Sequence, residues 1–238
     1  LRSESFVYAL GHWVAEAPDG VTITRPGAGA VRVRAEVLHA SLAGLSEHPP
    51  RFSLEGQGLT FTPEAGARPF PLASAQGLQF HLRQGPDDEG GLFVSLTGGR
   101  PLSPPPGLGG DPQGGLDFNL ELILSKAHAL VGPDWSTAGR AWSAAGGTAR
   151  LRRGSISSGR TTVTLSSPQP MTTGTDGRLR GALQGDLSLT PPAGTAPAAA
   201  APPAATPAPP LPGRVGCEFR GGRALVGGRP IATAPRLY

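Results

Sequence analysis

Leu116-Asp117-Phe118-Asn119-Leu120-Glu121-Leu122-Ile123-Leu124 is the stretch that decides the fold. Large apolar residues recur at every second position, and Asp117, Asn119 and Glu121 stand between them. Successive side chains of a strand point to opposite faces, so this period builds one dry face and one wet face. That division is the mark of antiparallel sheet. Leu116, Phe118, Leu120, Leu122 and Leu124 are therefore the candidate apolar, ligand-contacting face.

The same alternation recurs outward from this stretch. Val31, Val33, Ala35 and Val37 alternate with Arg32, Arg34 and Glu36; Leu78, Phe80 and Leu82 alternate with Gln79, His81 and Arg83. Leu92, Val94 and Leu96 follow an acidic turn, and Leu54, Leu59 and Phe61 flank Gly56-Gln57-Gly58, which reads as a tight turn or a bulge. Further on come Leu151 among arginines, Thr161 to Leu165, and a Thr175-Asp176-Gly177-Arg178 turn leading into Leu179 to Leu189. This spacing predicts a meander of about ten strands. One helix is expected from Asp134 to about Ala145, with Asp134 as its cap and Gly146-Gly147 as its stop. Trp135 and Trp142, seven apart, would share its face and plug an end of the sheet. The expected fold is mostly β: a curved antiparallel sheet, either an open groove or sandwich-like, with one or two short helices. A dry face must be covered, by a second sheet or by an apolar ligand.

Of 238 residues, 36 are Gly and 27 Pro, a fraction at the edge of the low-complexity range. Much of the excess is local. Residues 191–212 hold nine Pro, nine Ala and no charge, which predicts a disordered, extended insertion. The β-rich domain is then 1–190 plus 213–238, with the tail from Gly213 rejoining the same sheet as a final hairpin. Aromatic residues are 5%, too few for the two girdles of an outer-membrane barrel despite the terminal Tyr238. The single Cys217 excludes a disulfide framework and cysteine zinc sites. The longest apolar runs fall far short of a membrane-spanning helix, so any anchor or export signal is expected before Leu1.

Charge is unevenly placed. Residues 1–146 carry 10 basic and 14 acidic groups, net −4, and residues 147–238 carry 11 and 3, net +8. Arg150, Arg152 and Arg153, with Arg160, Arg178 and Arg180, form a candidate anion-binding patch if neighbouring strands bring them together. Phe219 and Tyr238 are the only aromatics in that half, a poor match to single-stranded nucleic acid, whose bases stack on aromatic platforms, and nucleic acid is not the expected partner. His12, His39, His48, His81 and His128 are scattered singly, and Asp87-Asp88-Glu89 sits between Gly-Pro and Gly-Gly as a hairpin loop, so no metal site is expected. No Gly-x-Ser-x-Gly elbow is present, and the Gly107 to Gly115 run lacks a Gly-Lys-Ser/Thr. Neither an enzyme nor a cofactor is expected.

The second half carries a resemblance. Trp142-Ser143-Ala144-Ala145-Gly146-Gly147, then Thr175-Asp176-Gly177-Arg178-Leu179-Arg180-Gly181-Ala182-Leu183, then Phe219-Arg220-Gly221-Gly222-Arg223-Ala224-Leu225-Val226-Gly227-Gly228-Arg229-Pro230-Ile231 together resemble the bacterial domain-of-unknown-function family two-one-two-five. Its members look like envelope proteins with an N-terminal anchor and a sheet similar in outline to AsmA-like, lipid-groove proteins. The resemblance covers residues 1–190 and 213–238 and is specific from Trp142 onward; the Ala/Pro insertion departs from the pattern. It implies a non-enzymatic protein in the periplasm, or anchored in the inner membrane and facing the periplasm. Lipid or an envelope protein is the implied partner, along the apolar face. It supplies no catalytic residue. The alternative is a polyanion-binding module using the arginine-rich half.

Overall fold

The computed structural model describes residues 2–5, 11–25, 27–103, 115–189 and 213–238. The expected Ala/Pro insertion at 191–212 and residues 107–114 of the glycine-rich run lie outside the described residues.

The strands are β1 (Arg2–Ser5), β2 (Trp13–Glu16), β3 (Val21–Arg25), β4 (Gly29–Arg34), β5 (Val37–Ala43), β6 (Arg51–Pro63), β7 (Leu72–Gln84) and β8 (Glu89–Pro101). After them come β9 (Leu116–Ser125), β10 (Ala149–Ser158), β11 (Thr161–Ser166), β12 (Thr172–Thr173), β13 (Leu179–Leu189), β14 (Arg214–Arg220), β15 (Arg223–Val226) and β16 (Arg229–Thr233). A 3-10 turn (Ala127–Ala129) and one helix, α1 (Trp135–Ala144), lie between β9 and β10. All the strands join one antiparallel sheet in the order β1-β2-β5-β6-β7-β8-β9-β10-β11-β13-β14-β15-β16. The two-residue β12 lies along β13, and the β3–β4 hairpin attaches to β6. There are more strands than the ten or so expected, because pieces of two to five residues, such as β1, β2 and β12, are too short to display a period. β13 pairs with β14, so the chain beyond the Ala/Pro stretch does rejoin the sheet. The sheet is open: among the described residues β1 and β16 stand at opposite ends of the order and do not pair. Among the described residues the sheet does not close into a barrel.

The register turns the alternation into continuous rows. On the dry face one row runs Leu54, Phe80, Val94, Leu120, Gly154, Leu165 across β6 to β11. A second runs Phe52, Leu82, Leu92, Leu122, Leu151, and a third runs Leu78, Leu96, Phe118, Ile156, Val163. On the wet face the rows read Ser53, His81, Phe93, Glu121, Arg153 and Glu55, Gln79, Ser95, Asn119, Ser155. Cross-strand neighbours of like character are the unit that stabilises a sheet.

Gly56-Gln57-Gly58 proves to be a bulge-like kink inside a continuous β6, not a turn. Gly58 has φ +60° and lies between the pairs Gln57–Gly77 and Leu59–Ala75. The left-handed residue changes the parity of the strand, so Leu54 and Leu59, five apart, both face the dry side and line the same pocket. On β8, Gly98 repeats the device with φ +57°, where the β8–β9 register shifts between Leu96 and Gly99. The two kinks stand on strands flanking β7 and crease the sheet there.

Each end of the dry face is covered by a different element. At one end, Asp134 caps α1 by accepting from the Thr137 N–H at 2.8 Å, and Gly146 ends it at φ +78°. Trp142 is 2% exposed and donates its indole N–H to the Ser125 carbonyl at 2.6 Å. It packs with Leu82, Leu124, Leu130 and Ala149, and Leu237 joins from the C-terminal segment. Trp135, at the other end of the helix, is largely exposed and donates to the Leu237 carbonyl, so of the two tryptophans expected to plug the sheet only Trp142 is buried in it. The helix thus plugs an end of the sheet as expected. At the other end, Val31 and Val33 of β4 pack on Leu59, Ala75 and Leu96. Phe61 stacks on Phe70 with centroids 4.6 Å apart, and the Arg25 guanidinium lies 5.7 Å from the Phe70 ring centre.

Candidate functional site

Between the two covered ends the dry face is a trough. Leu54, Phe80, Val94, Leu120 and Leu165, the middle row, are all only half-buried, whereas Leu82 toward α1 and Leu59 and Leu96 toward β4 are buried. Phe80 packs against the α1 cluster, and Leu120 and Leu165 pack against a third buried cluster of Leu151, Met171, Phe219, Ala224 and Ala234, so the part of the row outside these clusters is Leu54 and Val94. Of the expected ligand-contacting residues, Leu116, Phe118, Leu120 and Leu122 are half-buried along β9, and Leu124 is buried against the helix plug. The trough continues into a cavity of about 130 Å³ where β6 forks. β5 pairs with the first half of β6 and β4 with its second half, and β3 with β2 completes the walls. Val21, Val33, Leu38, Leu54, Leu59 and Leu78 line it, and the exposed Glu16 is the one charged residue in the lining. A space without hydrogen-bonding groups holds neither water nor a polar ligand favourably, and apolar cavities of roughly 150 Å³ stay dry and take small hydrocarbons. Sequence reasoning missed this cavity, because no local signal links Val21 or Leu38 to Leu78.

The wet face is built differently. β9 and β10 pair regularly from Leu124–Ala149 to Leu122–Leu151, then Glu121 meets Arg153, leaving Arg152 as an extra residue. A regular strand would send Arg153 to the dry face; the bulge keeps Arg152 and Arg153 together on the wet face. Both line a cavity of about 740 Å³ with Asn119, Glu121, Gln184 and Asp186. Arg152 also borders an adjoining hollow of about 370 Å³ with His81, Arg83 and Phe93. Arg150 is exposed on the same face. Arg178 is elsewhere: it donates to the Ala234 carbonyl at 2.8 Å and lies 3.6 Å from the Asp176 carboxylate, holding the C-terminal segment. The exposed Arg180 lies by Gly174 in that same turn region. Arg150, Arg152 and Arg153 therefore form a β10 group and Arg178 and Arg180 a turn group, while the sixth, Arg160, lies in the β10–β11 turn.

One constellation escaped the sequence reading. Ser53 Oγ lies 3.0 Å from His81 Nδ1, and Glu55 Oε1 lies 3.9 Å from His81 Nε2, outside hydrogen-bond reach. The three residues come from adjacent strands β6 and β7, and Phe93 stacks on the imidazole at 5.7 Å. The wet-face position of His81 was legible; its pairing with Ser53 needed the register. Among the described residues no three metal-ligating side chains converge. The acidic triplet is turn text: Asp87 and Asp88 have φ 54° and 60°, and Asp88 accepts from the His128 backbone N–H at 2.9 Å while its other oxygen meets His128 Nδ1 at 2.6 Å. Those bonds hold the Asp88 carboxyl below the usual carboxylate range. Burial pushes the Cys217 thiol up.

No helix among the described residues is long and apolar enough to cross a membrane. No curated protein and no solved structure matches the chain. One family model, described as an uncharacterised protein conserved in bacteria, matches residues 1–235, nearly the whole length. The β9 rows, the helix plug and the closing hairpin all fall within that match, and the chain belongs to the bacterial family DUF2125.

Proposed function

We propose that this protein is a non-enzymatic component of the bacterial envelope, working on the periplasmic side, that holds an acyl chain of a lipid along the dry face of its sheet. The observation that carries the reading is the half-buried stretch from Leu54 to Val94 of the middle row, with Leu54 opening into a cavity lined almost wholly by apolar side chains. Each methylene removed from water contributes about 0.8 kcal/mol, so about six methylenes contribute roughly 5 kcal/mol with no hydrogen bond required. A lipid tail matches such a lining. A folded protein partner brings backbone polar groups that the trough does not pair.

The non-enzymatic part rests on the Ser53–His81–Glu55 geometry. Glu55 is beyond hydrogen-bond distance of the imidazole, and the neighbouring backbone N–H groups belong to sheet ladders and are not free to form an oxyanion hole. The periplasmic location rests on the family resemblance alone.

Lipid copurification is the test. The protein is extracted gently, and its organic-soluble fraction is analysed by mass spectrometry against a similarly handled control protein. Lipid near one equivalent per chain is expected. Repeated recovery of the chain without lipid overturns the reading, as does recovery of a stoichiometric protein partner seated on the trough.

A further inference from the structure

We infer that the opposite, wet face carries a second and independent binding site, at the Arg152 bulge, for an acidic saccharide: a sugar unit bearing one phosphate or carboxylate. The argument begins with the bulge. It places two consecutive arginines on one side of β10, an arrangement a regular strand forbids, and bulges recur where a strand must re-aim a side chain. Both arginines face the cavity of about 740 Å³. Guanidinium forks match phosphate and carboxylate oxygens two bonds at a time, which is the strong form of anion recognition.

These side chains are not consumed by one another. Glu121 stands across from Arg153, yet among the described residues the side chains of Arg152, Arg153 and Glu121 make no hydrogen bond or ion pair. Their bonding capacity is directed at solvent in the cavity.

The floor adds an unrelated observation. Gly216 lies across from Gln184 in the same cavity, and a Cβ there would meet nothing within 4 Å. Its φ lies outside the left-handed region, so neither crowding nor conformation requires glycine. Glycine inside a strand costs roughly 0.5–1 kcal/mol relative to alanine. Gly91, under the adjoining hollow with Arg83 and Arg152, shows the same two properties. Strand glycines often mark a bulge, a bend, or a site where a ligand or another backbone approaches closely, and neither Gly216 nor Gly91 sits at a register shift or a left-handed bend.

The remaining lining decides the ligand class. Glu121 shares the cavity with the two arginines, so a carboxylate stands among the cations. An extended polyanion would run against the Glu121 carboxylate, whereas a single anionic group can sit on the arginine forks clear of it. Asn119, Gln184 and Ser155, with Glu121, offer donors and acceptors to hydroxyl groups. One anionic group flanked by hydroxyls satisfies both halves of the lining.

The experiment is titration of the whole chain with glucose 6-phosphate, glucose, inorganic phosphate and heparin, followed by saturation-transfer NMR and calorimetry. Glucose 6-phosphate is expected to bind roughly tenfold or more tightly than glucose or phosphate alone, since either fragment loses charge-assisted or hydroxyl bonds. Arg153→Ala and Gly216→Leu should each weaken it about tenfold or more, the first by removing a fork and the second by filling the hollow, with the circular dichroism unchanged. The inference is overturned if glucose 6-phosphate shows no transfer at millimolar concentration, or if phosphate alone binds equally well. It is also overturned if heparin binds in preference, or if both variants bind like the parent. Lipid copurification reads the other face, so the two proposals fail separately.

Discussion

Arg153 stands directly across from Glu121, although Leu151, two residues earlier on β10, stands across from Leu122, the next residue on β9. The extra residue between them is what keeps the wet and dry rows aligned. Deleting Arg152 leaves Leu151 dry, Arg153 wet and Gly154 dry in a regular ladder, and such a variant should fold with a loss of about 1 kcal/mol or less. Deleting Leu151 instead places Arg152 in the buried position across from Leu122. An unpaired guanidinium there should cost more than about 3 kcal/mol. Urea unfolding of the two deletions checks this; equal stabilities would show that the bulge does not set the register.

Gly98 and Gln76 make the second case. A Cβ on Gly98 would stand 2.5 Å from the Gln76 side chain, and the residue holds φ +57°. Gly98→Ala should cost about 1–2 kcal/mol for the left-handed backbone, plus whatever the glutamine must give up in moving aside. Adding Gln76→Ala should recover only the steric part. Thermal unfolding of the single and double variants separates the two contributions, and complete recovery in the double variant would mean that the backbone conformation carries no cost.

Much of this architecture was legible in the sequence. Leu116 to Leu124 alternate without interruption, and the register places them as read. Asp134 and Gly146 bound a helix whose caps are local chemistry, and they are where the sequence puts them. The failures share a physical cause. Leu54 and Leu59 are separated by an odd number of residues, so period-two reading breaks at the crease and leaves turn and bulge equally open. The forked cavity depends on β4 and β5 sharing the edge of β6, a long-range choice with no local signal. Arg152 and Arg178 look equivalent in the sequence, yet one lies in an open cavity and the other holds Ala234 through a contact 56 residues away. The Ser53–His81 pair spans 28 residues and was invisible for the same reason.

The Asp88–His128 contact carries a pH dependence. The backbone and ring donors of His128 favour the ionised carboxylate, so the Asp88 pKa is lower folded than unfolded. For a depressed carboxyl the stabilisation is present above the unfolded value and is lost as pH falls through the folded one. Acidification through the carboxylate range should therefore loosen the β7–β8 turn from the 3-10 turn before the sheet unfolds. Carbon NMR of the Asp88 carboxyl should titrate below the ordinary aspartate range, and Asp88→Asn should abolish that step while preserving the turn geometry. A normal titration at this site would remove the contact from the account.

Val94 sits in the middle of the dry row, between Phe80 on β7 and Leu120 on β9, and is only half-buried. A lysine there can extend its long stem and bring the ammonium to water, so Val94→Lys should fold at a cost of about 1–3 kcal/mol. The same charge lies in the path of an acyl chain and interrupts the apolar surface that continues from Leu54. A fluorescent fatty acid bound by the parent should bind Val94→Lys at least about tenfold more weakly, the equivalent of roughly two methylenes left in water. Thr164→Lys, on the wet face of β11 and exposed, is the control and should bind like the parent. Raising the ionic strength should leave the parent's affinity unchanged, because burial of hydrocarbon releases no counterions. Equal binding by the parent and by Val94→Lys would place the fatty acid off the trough, however much lipid copurifies.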